Sequence, residues 1–265
     1  MLNYKNSDPY IEGVSLYELV KVCETPLYVY SQEKIINQVN KTKEILGNNI
    51  FYSVKSNSNQ AILKLMQSLG IGADVVSNGE LKRALKAGFD PKKIIFEGVG
   101  KSEQDLLYAI HKNIRLINTE SLEEIKLLNN LAKEKNKTVD IGVRLNPNID
   151  GETLSKISTG KKTDKFGIEI DNVDKIIELV KTCKSLNLVG ISCHIGSQIS
   201  KIEVYKKMFN QMKKVADKFF ESGIMIKHID LGGGFHVKYK DSDPDFNIEM
   251  VKRELDNCFA QTKYE

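Results

Sequence analysis

Much that would mark a function is missing from this chain of 265 residues. Its four cysteines, Cys23, Cys183, Cys193 and Cys258, lie far apart with no close pair. That spacing argues against a zinc knuckle or a disulfide framework, and reads as reduced thiols in a cytoplasmic protein. Four histidines without a paired motif give no metal signature. No apolar run approaches the roughly 18 residues of a membrane span, and the polar opening dozen residues do not read as a secretory signal. Only four of the 39 basic residues are arginines. The net charge of +4 is spread over lysines with acids between them, so nucleic acid is not an expected partner. Two nucleotide motifs also fail. Gly232-Gly233-Gly234-Phe235-His236-Val237 lacks the last glycine of the dinucleotide fingerprint, and Val99-Gly100-Lys101-Ser102 lacks the first glycine of a P-loop, because position 95 is Ile.

What is present is an alternation of short apolar runs with amphipathic, Lys/Glu-rich segments. Hydrophobic residues make up 41% and charged ones 28%, an ordinary globular balance. Leu27 to Tyr30 reads as a lead-in strand, and Gln32 to Leu46 has helical spacing. Seven strand-like runs follow: Ile50 to Val54, Gly72 to Ser77, Ile94 to Glu97, Leu116 to Asn118, Val139 to Leu145, Leu188 to His194, and His228 to Leu231. Helical periodicity follows each of them, as in Gln60 to Ser68, Glu80 to Ala87, Glu103 to His111 and Ile248 to Ala260. Such strands, apolar on both sides, argue for a parallel sheet. The expected fold is an α/β, TIM-type (β/α)8 barrel that lacks its eighth strand, with domains at 1–30 (lead-in) and 31–265 (incomplete barrel). Asn146 to Lys165 is the longest stretch without helical pattern, and a long βα loop in a barrel is usually functional.

Barrels keep their chemistry at the carboxyl ends of their strands, and several reactive residues fall there. Lys55 ends the first run; a lysine in a poorly solvated pocket can lose its proton and form a Schiff base with an aldehyde cofactor. Among so many lysines a solvated surface charge is the plainer reading, so the case depends on its neighbours. Asp74 lies in an otherwise apolar strand and needs a partner there. Ser77 and Glu80 are explained by a helix cap. Arg144 ends the fifth run, as an ion-pair member or a cation supporting a pocket. His194 ends the sixth, as a structural histidine or a ring that stacks on a planar cofactor, with Ser197 able to hydrogen-bond a phosphate. Gly232, Gly233 and Gly234 follow the seventh, as a tight turn or a backbone nest for an anion. Jointly they provide an amine for an aldehyde, a stacking imidazole and a phosphate cradle, needs that pyridoxal phosphate meets.

The stretches FYSVKSNSN (51–59), GADVVSNGEL (72–81), EGVGKS (97–102), RLNPNIDGETLSKISTGKKTDKFGI (144–168), HIGSQ (194–198) and DLGGGF (230–235) resemble, in order, the barrel-type pyridoxal-phosphate decarboxylases. The 144–168 stretch points to their diaminopimelate branch rather than to the ornithine or arginine enzymes. The resemblance implies that Lys55 carries the cofactor, His194 stacks on its ring, Ser197 and the Gly232–Gly234 turn hold its phosphate, and Asp74 and Arg144 support the pocket. The implied reaction takes diaminopimelate, a small amino acid, to L-lysine and CO2, in a family of homodimers.

The chain departs from the family in several places. The Glu-Pro-Gly-Arg strand and the β-rich second domain are not found, His236 stands where another glycine is usual, and Leu154 replaces a common histidine. The expectation is therefore an N-terminal portion with little activity by itself. The rival readings are a non-catalytic binder, half of a two-chain enzyme whose second chain supplies the remainder, and an alanine-racemase-like barrel.

Overall fold

The computed structural model describes residues 2–151, 160, 166–243 and 245–260, in two compact units, Met1–Asn48 and Asn49–Glu265. The division falls after the helix Gln32–Leu46 rather than at residue 30, so that helix groups with the N-terminal unit. Leu154 lies outside the described residues.

The N-terminal unit opens with an antiparallel meander of short strands, β1 (Asn3–Lys5), β2 (Asp8–Ile11) and β3 (Val14–Ser15). Ser15 turns the chain into helix α1 (Leu16–Val22): its Oγ accepts the Glu18 N–H at 3.3 Å and donates to Asp8 at 2.7 Å. Helix α2 (Gln32–Leu46) is capped by Ser31 and stopped by Gly47. Leu27 to Tyr30, expected as a strand, forms none. A strand exists through its ladder, and among the described residues no ladder forms along this segment.

The second unit contains the seven expected strands. They are β4 (Phe51–Ser53), β5 (Gly72–Val75), β6 (Ile94–Phe96), β7 (Leu116–Thr119), β8 (Val139–Asn146), β10 (Leu186–Ser192) and β11 (His228–Asp230); the short β9 (Ile168–Glu169) adds to the end of β8. They run parallel in the order β11-β10-β8-β7-β6-β5-β4. Between them lie α3 (Gln60–Ser68), α4 (Asn78–Ala87), α5 (Glu103–Lys112), α6 (Leu122–Glu134), α7 (Val173–Thr182) and α8 (Ile202–Glu221), with α9 (Ile248–Phe259) after β11. Ser77, Ser102 and Ser121 cap α4, α5 and α6, each accepting an N–H from the third helical residue. The helices bury Leu63, Leu81, Leu106, Leu128, Ile176, Met212 and Phe219. No described helix is long and apolar enough to cross a membrane.

The sheet is curled, and Arg115 shows it. Arg115 precedes β7, the middle strand, yet its guanidinium lies 5.5 Å from the ring of Phe51 on one edge strand and 3.3 Å from Nδ1 of His228 on the other. Ile95, Leu116 and Val189 pack with Phe51 in the interior. Glycines make room for them: a Cβ on Gly72 would lie 2.3 Å from the Phe51 ring, and one on Gly190 would lie 3.1 Å from Leu116. The result is a seven-stranded open parallel barrel with a packed floor.

Candidate active site

Two residues above that floor, the same strands carry polar side chains: Ser53, Asp74, Glu97, Asn118, Arg144, Ser192 and Asp230. The alternation of strand faces makes them one layer. Ser53 donates to Asp74 Oδ2 at 2.6 Å, which gives Asp74 the partner its strand position demanded. Asn118 donates its amide N–H to Glu97. Gly142 leaves the space for that amide, since a Cβ there would lie 1.7 Å from Asn118 Oδ1. Arg144 is buried, paired with Glu120 at 3.1 Å and stacked on Phe166 at 4.8 Å. Glu120 also accepts the Gly167 N–H at 3.0 Å, so it ties β8 to the start of β9.

Burial dominates the electrostatics of this layer. Desolvation, and after it the neighbouring carboxylates, pushes Glu97 up to about 8. Asp74 rises to about 6, again chiefly by desolvation, while the Ser53 hydroxyl and the Lys55 charge pull it back. Asp230 is raised by burial against the Gly232 N–H and Arg144. Cys193 is buried and its thiol is held well above its ordinary range, which rules it out as a ready nucleophile.

The mouth of the barrel brings together the residues singled out from the sequence. Lys55 sits in a one-turn 3-10 segment, Val54–Ser56, directly after β4. The poorly solvated setting expected for it is not found, for its side chain is exposed. The physical reason is that β4 is an edge strand, so nothing in the sheet covers its open side. His194 is pushed down to about 4, first by desolvation and then by the charges of Arg144 and Lys55. It is therefore a neutral ring at pH 7, close enough to both cations to feel them.

The loops after β10 and β11 lie against each other. Ile199 donates its N–H to Gly234 O at 2.9 Å, and the Gln198 amide accepts the Val237 N–H at 2.8 Å. Gly232 and Gly234 both have left-handed φ, +70° and +72°. A Cβ at Gly232 would lie 2.7 Å from His194 Nδ1, and one at Gly234 would lie 2.0 Å from Gly196 O. The turn is a close-packed backbone cradle beside the imidazole. One refinement to the expected nest concerns Gly232, whose N–H is taken by Asp230 at 2.7 Å. Gly233 and Gly234 are then the glycines whose N–H groups no hydrogen bond uses among the described residues. Ser197 is exposed on the facing loop, after β10. His236, in the family's usual glycine position, has both ring nitrogens buried without a partner among the described residues.

Lys101, in the failed P-loop motif, is structural. Its buried ammonium donates to Gly98 O, Asn118 O and Glu124 at 2.7, 2.6 and 2.8 Å. Sequence reasoning missed Glu97 and Asn118 as parts of the layer, and Glu120 as the partner of Arg144. Their signal was parity: each lies two residues beyond an apolar floor residue, or four in the case of Glu120.

An exposed lysine at a strand end, a neutral imidazole, a glycine cradle and a buried carboxylate layer form a site for a phosphorylated aldehyde, and the comparisons agree. Residues 32–263 match the family described as pyridoxal-dependent decarboxylase, pyridoxal binding domain. The diaminopimelate decarboxylase of Aquifex aeolicus is 38% identical over 98% of this chain and 63% of its own length, and that of Haemophilus influenzae 37% over 91% and 59%. The chain thus spans about three fifths of these curated relatives. The crystal structure of the Helicobacter pylori diaminopimelate decarboxylase complexed with L-lysine superposes with a TM-score of 0.90 at 34% identity, covering 94% of this chain and 64% of that one. The M. jannaschii enzyme in complex with L-lysine gives 0.90 at 33%, covering 98% and 62%. The chain belongs to the pyridoxal-dependent decarboxylase family, through its pyridoxal-binding domain.

Proposed function

We propose that this chain holds pyridoxal phosphate on Lys55 and serves the decarboxylation of meso-2,6-diaminopimelate to L-lysine and CO2. The observation that carries the cofactor reading is the Gly232–Gly234 cradle, where a side chain on Gly234 would collide with Gly196 O, set beside His194, whose ring feels the Lys55 charge. Relatives named diaminopimelate decarboxylase at 37–38% identity favour that substrate. An arginine decarboxylase of the same fold stands at 21%.

Bound pyridoxal phosphate would supply the electron sink that lets a carboxylate leave as CO2. The protein's own groups do the remainder. Lys55 would hold the aldehyde through its amine. His194, neutral near pH 7, presents a flat uncharged face for the ring to rest on. The N–H groups of Gly233 and Gly234, with the Ser197 hydroxyl, orient the phosphate. Asp74, anchored by Ser53, holds negative charge near the Lys55 ammonium, and Arg144, fixed by Glu120 and Phe166, supports the wall. Because this chain spans about three fifths of the relatives' length, we assign this stretch by itself cofactor retention with little turnover; a second copy or a second chain would contribute to the complete site.

The test is CO2 release from diaminopimelate, with arginine and ornithine as controls, in the protein carrying this segment joined to the remainder of a relative's length. Release with diaminopimelate alone, lost in Lys55→Ala, is expected. Release from arginine or ornithine in preference, or activity that survives Lys55→Ala, would overturn the assignment.

A further inference from the structure

The polar layer contains several buried groups whose hydrogen bonds are unmet among the described residues. Asp74 Oδ1, Glu97 Oε2, Asn118 Oδ1 and Ser192 Oγ are all sealed from solvent without a hydrogen-bond partner among the described residues. Glu97, Asn118 and Ser192 are each at least nine-tenths buried, with relative exposures of 9%, 1% and 3%. Glu97 directly follows β6, Asn118 and Ser192 lie in β7 and β10, and Asp74 in β5, so the unmet groups share one interior level. Three carboxyls stand there: Asp74, Glu97 and Asp230. The one guanidinium of the layer, Arg144, is already paired with Glu120. Asp230 has the Gly232 N–H at 2.7 Å. Asp74 and Glu97 have one hydrogen bond each, from Ser53 and Asn118. A buried carboxylate with so little compensation takes up a proton rather than stay charged.

Register says where that proton belongs. Asp74 pairs with Ile95 across β5 and β6, so Glu97 is its diagonal neighbour on the same face, and the Asp74 charge acts on it. We infer that Glu97 is an uncharged acid sharing one proton with Asp74, and is the positioning residue for the carboxylate that Lys55 faces. A protonated Glu97 turns the partnerless Oε2 from an acceptor into a donor, in a layer where Asp74 Oδ1 and Asn118 Oδ1 lack one. The groups around the pair are Ser53, Lys55, Glu80, Asn118, Arg144 and Asp230, and the carboxylates among them all favour retention of the proton. Burial pushes Glu97 up to about 8 from its ordinary 4.5. Its contribution to stability is then full below about pH 4.5 and lost as pH rises to about 8. The inference does not depend on a bound cofactor, and its test uses the chain without one.

Infrared spectra of the protein at pH 7, unlabelled and with carbon-13 glutamate, should show a protonated-carboxyl C=O band that shifts with the label. The band should be absent in Glu97→Gln. Between pH 5 and 8 the wild-type Tm should fall relative to Glu97→Gln by on the order of 5 °C, because the glutamine cannot lose a proton. If Glu97→Gln fails to fold, the labelled wild-type band still decides. No such band, or a band that ignores the glutamate label, would overturn the inference. So would a Tm at pH 8 that rises with potassium or sodium at constant ionic strength, since a cation would then be balancing the layer.

Discussion

The interior of the barrel changes character over two residues. On its floor, Phe51, Ile95, Leu116 and Val189 pack together, with glycines against Phe51 and Leu116 and the Arg115 guanidinium beside Phe51. One step up the same strands, Ser53, Asp74, Glu97, Asn118 and Asp230 face the same space. The backbone is common to both levels, so the difference is wholly one of side chains. The floor excludes water and supplies stability; the layer above keeps buried carboxyls whose charge is costly. A fold that needed only to be stable would repeat the floor. Polar groups at this level, under an exposed lysine and a glycine cradle, mark the end of the barrel that does chemistry.

Breaking the floor should have the largest effect on stability. Leu116→Ala removes a side chain that fills the space beside Gly142 and Gly190, and should cost about 2–5 kcal/mol in denaturant unfolding. The folded fraction should still retain pyridoxal phosphate, since the mouth is untouched. Breaking the cradle should do the reverse. Gly234→Ala places a Cβ against Gly196 O at a left-handed φ, and should cost about 1–3 kcal/mol of stability. It should also remove most pyridoxal-phosphate retention in equilibrium dialysis.

The smallest effect concerns acid. His194 is pushed down to about 4 from its ordinary 6.5, so folding favours the neutral ring. The stability this contributes is present above about pH 6.5 and lost as pH falls toward 4. His194→Asn should flatten the acid side of a Tm-against-pH curve within that window. It should leave the alkaline side, where Glu97 titrates, unchanged.

Much of this architecture was legible in the chain itself. Helices with a polar N-cap and a 3.6-residue apolar stripe, such as Gln60–Ser68 after Asn59 and Gln32–Leu46 after Ser31, match the structure at both ends. The parallel strands were legible because strands covered on both faces are short and continuously apolar. The β1–β3 meander was not, since its strands are two to four residues long and nearly all exposed or only half-buried. Leu27 to Tyr30 misled for the opposite reason: it has strand composition without a partner. In the site, Lys55, His194 and the glycines were visible because reactive residues after apolar runs are conspicuous. Glu97 and Asn118 looked like ordinary strand ends. Only the register, which shows which face points inward, makes them one layer with Asp74. Lys55's exposure was hidden too, because it depends on β4 being an edge of the sheet.

The measurement that bears most directly on this account is the mass of the protein after incubation with pyridoxal phosphate and borohydride reduction, with the modified peptide mapped. The account predicts a single adduct on Lys55, displaced by no other of the chain's many lysines and absent from Lys55→Ala. An adduct spread over surface lysines, or none at all in a folded protein, would contradict it.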